Sequence, residues 1–482
     1  MPPSRGPIWL VAILTLLVYA PALTNEFVSW DDGQTIYSNP RLNPATVGKN
    51  LWYWSHPENG EYLPLTRTVW ALLTPIARVT QPDDRGITLN PWIYHGASLI
   101  VHTVSALLVY LILVRVLRRP PAADTPCSRQ AVAPAAPRQG KLRHAVEPTP
   151  PRIWPAAAGA LLFAIHPLQV EAVAWASGLK DLLFGLFALA AILAYLHYAS
   201  DYKWWTGLRN GREHGPHPGP LPEGEGARRL FYLLGLLALL ASMLSKPMGV
   251  ITPLPAALLG WRLCHRPLRQ VMRELAPWFA LSVIFGLLAR HWMPATAIPT
   301  TALWTRPLIA ADSLAFYLFK LAWPVNLAID YGRTPLAVMS SGWGYFTWIV
   351  PAIIAALLWR IRRKHPLPGV GASLAALAAL PILGLTPHMF QYYSTVADHY
   401  AYLPMLGVAI AAAYGLSLLR ARTSAIVATC ILTALGIRSM TQTQNWIGNR
   451  QLWSHTLSVN PDSYVAMVSL AQEAMDTNAS DA

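Results

Sequence analysis

The chain has 482 residues, of which 54% are hydrophobic and only 12% are charged. A soluble domain carries about 25% charged residues, so this composition excludes a soluble enzyme and predicts an all-α protein that crosses the membrane many times. The formal net charge of +14 would suggest nucleic-acid binding in a soluble chain, but here the question is on which side of the membrane the basic loops lie. Three widely separated cysteines predict neither a disulfide framework nor a thiolate metal site.

Eleven apolar runs predict transmembrane helices. The first lies at 8–23, where a cleaved signal peptide is the less favoured alternative to a retained span. A further run at 307–323 carries Asp312 and Lys320 and is predicted to be an external interfacial helix rather than a twelfth span. The remaining predicted spans lie at about 91–117, 154–168, 179–199, 229–245, 248–263, 275–292, 345–359, 369–390, 399–419 and 423–440.

The segments between the apolar runs set the predicted domain organisation. Residues 1–440 form one membrane domain, and residues 441–482 form a short external helical tail. Within the membrane domain, 24–90 is a first external loop and 293–343 is an external helix and loop. Two segments rich in Pro or Gly and without apolar periodicity are predicted to be disordered cytoplasmic loops: 118–153 and 200–228.

Basic residues are distributed unequally between the two sides of this topology. With a cytoplasmic amino terminus, the inner connections hold 24 of the 37 Lys and Arg residues but only 7 of the 23 Asp and Glu residues. Cytoplasmic loops of membrane proteins carry such an excess of Lys and Arg. We therefore expect an integral, multi-pass membrane protein with its amino terminus in the cytoplasm and its carboxyl terminus outside.

This orientation places ionisable residues from separate hinges at the outer face. Two adjacent acids, Asp31 and Asp32, follow the first span and are candidates for catalysis. Ammonium and imidazole groups can hold a phosphate, while a carboxylate can accept a proton from a hydroxyl, so a mixed site suits a phosphorylated amphiphile. The candidate substrate-binding residues at the later hinges are His166, Glu171, Lys180, Asp181, Lys246, Asp398, His399 and Tyr400.

Each candidate also has a structural alternative. Lys246 could extend its ammonium group to the membrane interface, and His166 could simply end a helix before Pro167. Glu171 and Lys180 could form a structural ion pair, while the two aspartates could cap a short helix. Their joint position on one side of the membrane favours the functional interpretation.

Six motifs resemble a known family. They are Phe27-Val28-Ser29-Trp30-Asp31-Asp32; Tyr62-Leu63-Pro64-Leu65-Thr66; Tyr94-His95 with His102; His166-Pro167-Leu168-Gln169-Val170-Glu171-Ala172-Val173-Ala174-Trp175 with Gly178-Leu179-Lys180-Asp181; Ser245-Lys246-Pro247; and Ala397-Asp398-His399-Tyr400. In this order they resemble the membrane half of the transmembrane and tetratricopeptide-repeat-containing proteins, which are O-mannosyltransferase-like members of the GT-C glycosyltransferase superfamily.

The resemblance implies a GT-C-like helical bundle and a glycosyltransferase of a bacterial inner membrane. Such an enzyme would move a mannose-like sugar from a polyprenyl-phosphate donor to a protein or glycan hydroxyl at the outer face, with inversion. Asp31 or Asp32 would be the general base, and Lys246 and His399 would contact the phosphate. No cofactor is expected to be obligatory, although a divalent metal stays open as an alternative.

The chain departs from the family pattern at three of these positions and in its tail. The family usually has Gly-Arg-x-Asp where this chain has Gly178-Leu179-Lys180-Asp181, so that Leu179 takes the place of the Arg; it also has Glu in place of Pro247 and Arg in place of His399. The segment 445–464 resembles the lead-in to a tetratricopeptide array, of which at least three repeats are needed for a stable core. We therefore expect the repeat region to be largely absent.

Two other function classes stay open. A lipid or solute transporter, or a flippase, would show internal repeats and polar groups near the bilayer midplane, whereas the ionisable groups here are predicted at one face. A non-catalytic scaffold that keeps the GT-C-like fold is the second alternative.

Overall fold

A computed structural model describes residues 6–117, 152–200, 223–264, 266–292 and 301–480. Among these residues the regular structure is helical, and the only β-type pairings are isolated bridges. The predicted loops 118–153 and 200–228 lie largely outside the described residues. A helix begins at Glu223, inside the second of these predicted loops.

The helices are numbered here in chain order. They are α1 (Gly6–Tyr19), α2 (Val47–Trp52), α3 (Pro64–Ala77), α4 (Pro91–Val116), α5 (Ile153–Ile165), α6 (Val170–Ala174), α7 (Leu179–Ala199), α8 (Glu223–Ser245), α9 (Pro253–Arg262), α10 (Leu268–Glu274), α11 (Ala276–Trp292), α12 (Arg306–Ala322), α13 (Pro335–Ser340), α14 (Ile349–Ile361), α15 (Pro366–Ala379), α16 (Met405–Leu418), α17 (Ala421–Thr443), α18 (Asn449–Val459) and α19 (Tyr464–Ser480).

All eleven predicted spans are mainly helical in the structure. In the described part of the chain, six helices are long and apolar enough to cross a membrane, and the number rises to eight if each of two bent pairs is one span. The bent pairs are α5 with α6, at 49°, and α10 with α11, at 57°. The other three runs correspond to the shorter helices α9, α15 and α16. The prediction of an all-helical, polytopic bundle is therefore confirmed, while three of the predicted spans are shorter than expected.

The run at 307–323, which is predicted to be external, forms most of the 17-residue helix α12. Asp312 and Lys320 of this helix face the protein, since they are 3% and 6% exposed. Large apolar side chains on and beside this helix are exposed, among them Trp304, Phe319 and Trp323. This division between a polar inner face and an apolar outer face is what a helix at a lipid surface needs.

Glycine allows α15 and α16 to approach closely. A Cβ atom on Gly407 would lie 2.1 Å from the carbonyl oxygen of Gly371, and a Cβ atom on Gly371 would lie 2.4 Å from the carbonyl oxygen of Gly407. Small residues at such crossings let membrane helices pack backbone against backbone. Elsewhere on α16, a Cβ atom on Gly415 would meet nothing within 4 Å.

Arginine side chains hold the helix ends at one end of the bundle. Arg115, at the end of α4, donates to the carbonyl oxygen of Leu196 near the end of α7 at 2.7 Å. Arg152, before α5, donates to the Ser417 hydroxyl near the end of α16 at 2.5 Å. Because the candidate site residues lie at the other ends of α5 and α7, these two arginines and the candidate site lie at opposite ends of the bundle.

The close crossing gives a stability prediction. Gly407→Ala is expected to lower the melting temperature of the purified protein in detergent, because the new methyl group must displace backbone atoms, at a cost of about 1–3 kcal/mol. Gly415→Ala, on the same helix, is the matched control and is expected to leave the melting temperature unchanged or slightly raised. Equal melting temperatures for the two variants would contradict the close crossing.

Candidate active site

The break between α5 and α6 carries the first part of the site. Glu171 is 2% exposed and accepts two hydrogen bonds from one residue, His399. The His399 backbone N–H reaches Glu171 Oε2 at 3.0 Å, and His399 Nδ1 lies 2.9 Å from Glu171 Oε1. These bonds join the break to the turn before α16. They also engage Nδ1 of the imidazole, which leaves Nε2 as the ring nitrogen for contact with another group.

His166 lies at the same break but contacts backbone groups. The Leu168 backbone N–H donates to His166 Nδ1 at 3.2 Å, and His166 Nε2 lies 3.3 Å from the carbonyl oxygen of Leu321. Because Nδ1 accepts, Nε2 carries the proton and donates. This is the arrangement of a histidine that ends a helix, and among the described residues no hydrogen bond joins His166 to another candidate.

Lys180, in the first turn of α7, faces the segment between α1 and α3. Its Nζ atom lies 3.4 Å from Asp31 Oδ2 and 3.8 Å from Glu61 Oε2. The same ammonium group lies 5.3 Å from the ring centroid of Trp175. Lys180 is 7% exposed, so these two carboxylates and the indole face compensate a largely buried charge.

Asp181, the next residue, faces a different partner. Its Oδ1 atom accepts a 2.6 Å hydrogen bond from Lys246 Nζ, between α8 and the turn that follows it. Lys246 Nζ lies 5.5 Å from the Tyr400 ring, and the rings of Tyr400 and His399 are 4.4 Å apart. The structure thus brings together Asp31, Lys180, Asp181, Lys246, Tyr400, His399 and Glu171.

The two adjacent aspartates have different environments. Asp32 is fully buried and accepts from three donors, which are Val28 N–H at 2.9 Å, Ser177 N–H at 2.9 Å and the Ser177 hydroxyl at 2.6 Å. Burial raises the pKa of Asp32 to about 7, although the three donors act in the opposite direction. Both carboxylate oxygens are therefore occupied in holding the loop against the start of α7.

Asp31 keeps a solvent-accessible carboxylate. Its side chain is 29% exposed and contacts Lys180 and, at 3.2 Å, the Gln34 side-chain amide. Its backbone has a φ of +74°, in the left-handed region that few residues other than glycine adopt, although aspartate tolerates it. Such a conformation persists only where the surroundings determine it.

The Asp398 carboxylate forms its hydrogen bond with a residue outside this group. The Tyr331 hydroxyl donates to Asp398 Oδ1 at 2.7 Å. Burial and the nearby Glu171 charge raise the pKa of Asp398 well above its usual range. The predicted substrate-binding residue Asp398 therefore contacts the segment that follows α12.

Contacts from distant segments hold the loop that carries Asp31. The Ser29 backbone N–H donates to Asn449 Oδ1 at 2.7 Å, and the Trp453 indole N–H donates to the Ser29 hydroxyl at 3.0 Å. The Trp30 ring packs against Trp453 with centroids 5.8 Å apart. Helix α18, in the carboxyl-terminal tail, thus fixes the backbone two residues before Asp31.

Sequence reasoning assigned no role to several residues of this site. Arg67 is buried, pairs with Glu58 at 3.0 Å and donates to the carbonyl oxygen of Thr35 at 2.9 Å. It directly follows the motif Tyr62–Thr66, and this position was the available signal. Glu61 directly precedes the same motif. Among the described residues, no group of three or more His, Cys, Asp or Glu side chains could hold a metal ion.

Known proteins of similar sequence act on sugars. Protein O-mannosyl-transferase TMTC4 of Mus musculus is 24% identical over 96% of this chain and 63% of its own length. The Homo sapiens TMTC4 is 23% identical over 94% and 62%, and Tmtc3 of Drosophila melanogaster is 24% identical over 82% and 44%. The chain is similar to the protein O-mannosyl-transferases. The resemblance predicted from the motifs is thereby confirmed, and the chain spans less than two thirds of each of these relatives.

Two further comparisons complete this picture. No model of a known protein family matches the chain. A similar solved structure is ArnT from Cupriavidus metallidurans bound to undecaprenyl phosphate, with a TM-score of 0.37 and 14% identity over 89% of this chain and 64% of that one.

The buried Asp32 gives a pH prediction. Its folded pKa of about 7 lies above the value of 3.8 in solvent, so its contribution to stability is complete below about pH 4 and is lost as the pH rises through about 7. The melting-temperature advantage of the wild type over Asp32→Ala is expected to shrink between about pH 5 and about pH 8. Asp84→Ala, at an exposed position, is the control. An advantage that grows with pH would contradict the assignment.

Proposed function

We propose that this protein is a membrane glycosyltransferase. It moves a mannose-like sugar from a polyprenyl-phosphate donor to a hydroxyl of a protein or glycan at the outer face of the membrane, with inversion. The similarity to protein O-mannosyl-transferases supports the reaction class, and the six motifs support the kind of donor. The observation that carries the proposal is the accessible Asp31 carboxylate, held beside a buried lysine.

Asp31 acts as the general base in this proposal. Its carboxylate is accessible, whereas both oxygens of Asp32 accept hydrogen bonds from the protein. Asp31 takes the proton of the acceptor hydroxyl as the oxygen of that hydroxyl attacks the anomeric carbon of the sugar. Asp32 has a positioning role, because it ties the loop to Ser177.

Lys180 and Lys246 stabilise the leaving group. As the new glycosidic bond forms, the bond between the anomeric carbon and the phosphate oxygen breaks, and the electron pair stays on the polyprenyl phosphate. The two ammonium groups lie at different hinges, and their positive charges stabilise the negative charge that develops on that phosphate. Because Glu171 occupies Nδ1 of His399, Nε2 is the nitrogen that contacts the donor. His166 has no part in this mechanism.

Single substitutions at the two aspartates test the proposal. With purified protein and radiolabelled polyprenyl-phosphate mannose, Asp31→Asn is expected to lower kcat by about 10²–10⁴-fold, the usual contribution of a general base, without lowering the melting temperature. Asp32→Asn is expected to lower the melting temperature, because one carboxylate acceptor becomes an N–H donor. Asp84→Asn, an exposed substitution of the same kind, is the matched control and should change neither quantity.

Two results would contradict the proposal. Undiminished transfer by Asp31→Asn would remove Asp31 from the role of base. The transporter alternative would be favoured instead if the wild type moved lipid across the bilayer but transferred no sugar to any protein or glycan acceptor.

A further inference from the structure

Two hydrogen-bond acceptors close to Lys246 have no donor in the described part of the protein. They are Asp181 Oδ2 and His388 Nε2, and both atoms are buried. A buried acceptor that lost its water on folding and gained no donor destabilises the folded state. In a binding site, such atoms indicate where a ligand supplies the missing donors.

The contacts of His388 identify its Nε2 atom as an acceptor. His388 Nδ1 lies 3.4 Å from the carbonyl oxygen of Thr386, which can only accept, and on this contact we assign the ring proton to Nδ1. Burial lowers the pKa of His388 to about 4, and the imidazole is therefore neutral at physiological pH. A neutral ring protonated at Nδ1 presents a lone pair at Nε2.

Asp181 has one oxygen engaged and one without a partner. Lys246 Nζ donates to Oδ1 at 2.6 Å, while Oδ2 meets no donor among the described residues. The residue is 1% exposed, so bulk water does not compensate Oδ2. The ion pair fixes the carboxylate, and Oδ2 is held in one direction as a consequence.

Both acceptors lie around one aromatic residue. The His388 ring meets the Tyr400 ring edge-on with centroids 6.2 Å apart, and Lys246 Nζ lies 5.5 Å from the Tyr400 ring. Since Asp181 is bound to Lys246, all four side chains belong to one region beside the proposed phosphate contact. Acceptors that need donors, next to a cation that attracts phosphate, match the chemistry of a phosphate-linked sugar.

We propose that Asp181 Oδ2 and His388 Nε2 accept hydrogen bonds from hydroxyl groups of the donor sugar, so that a carbohydrate subsite lies around Tyr400. This inference rests on the proposed function and adds His388 to the residues that bind the donor. His388 acts on the sugar alone, whereas Lys246 acts on the phosphate. A substitution at His388 therefore separates the two parts of the donor.

Equilibrium binding of two lipids tests the subsite. The probes are polyprenyl-phosphate mannose and polyprenyl phosphate, measured with purified protein in nanodiscs. His388→Phe keeps a ring but removes the acceptor, and it is expected to weaken binding of the mannosylated lipid by about tenfold. Binding of the unglycosylated lipid should change by less than about twofold, because that lipid carries no sugar hydroxyl.

Two further variants complete the design. His365→Phe is the matched control, because His365 contacts Tyr414 near the end of α16, away from the site, and should change neither affinity. His388→Gln retains an acceptor oxygen and should recover part of the lost affinity. If His388→Phe melts at a lower temperature than the wild type, His388→Gln replaces it in the comparison. We then expect a smaller loss of affinity, still confined to the mannosylated lipid.

The outcomes distinguish this inference from the proposed function. Equal losses for both lipids, no loss for either, or a wild type that binds both lipids equally would overturn the carbohydrate subsite while leaving a lipid-phosphate site. A wild type that binds neither lipid would refute the proposed function, and the subsite with it.

Discussion

The arrangement of the site depends on the charges at the start of α7. Lys180 and Asp181 are adjacent in the sequence, and successive residues of an α-helix point about 100° apart. Lys180 therefore pairs with Asp31, in the segment after α1, while Asp181 pairs with Lys246 after α8. Removing one partner of the buried Asp181–Lys246 pair costs about 3–5 kcal/mol, whereas Asp31 is 29% exposed and Lys180 keeps Glu61 as a second partner. This one helical turn therefore joins two other segments.

The second constraint is the immobilisation of the Asp31 loop from several sides. Ser177, in the turn before α7, donates a hydrogen bond to Asp32, and Arg67 donates one to the carbonyl oxygen of Thr35. The tail helix α18 binds Ser29 through Asn449 and Trp453. A carboxylate on a backbone with positive φ keeps a defined direction only under such restraint, and a general base needs that direction to meet its hydroxyl.

The sequence was sufficient to predict the helices but only part of the site. An apolar run long enough to span a bilayer is expected to form a helix, because a lipid-exposed backbone must satisfy its own hydrogen bonds. The hinge residues were likewise predictable, since charges avoid the apolar centre of a span. Adjacent aspartates could not be distinguished, because Ser177, which separates their environments, lies 145 residues from Asp32. His388 belongs to no motif, and only the fold brings it to Tyr400.

In the proposed mechanism, Asp31 and the two lysines surround the reacting bond of a lipid-linked sugar. A cryo-EM structure of the protein in nanodiscs with polyprenyl-phosphate mannose would test this arrangement most directly. We expect the donor phosphate within about 4 Å, the ion-pair distance, of the Lys180 or Lys246 ammonium group, with the anomeric carbon facing Asp31. A donor phosphate that contacts neither lysine, or a sugar bound away from Asp31, would contradict it.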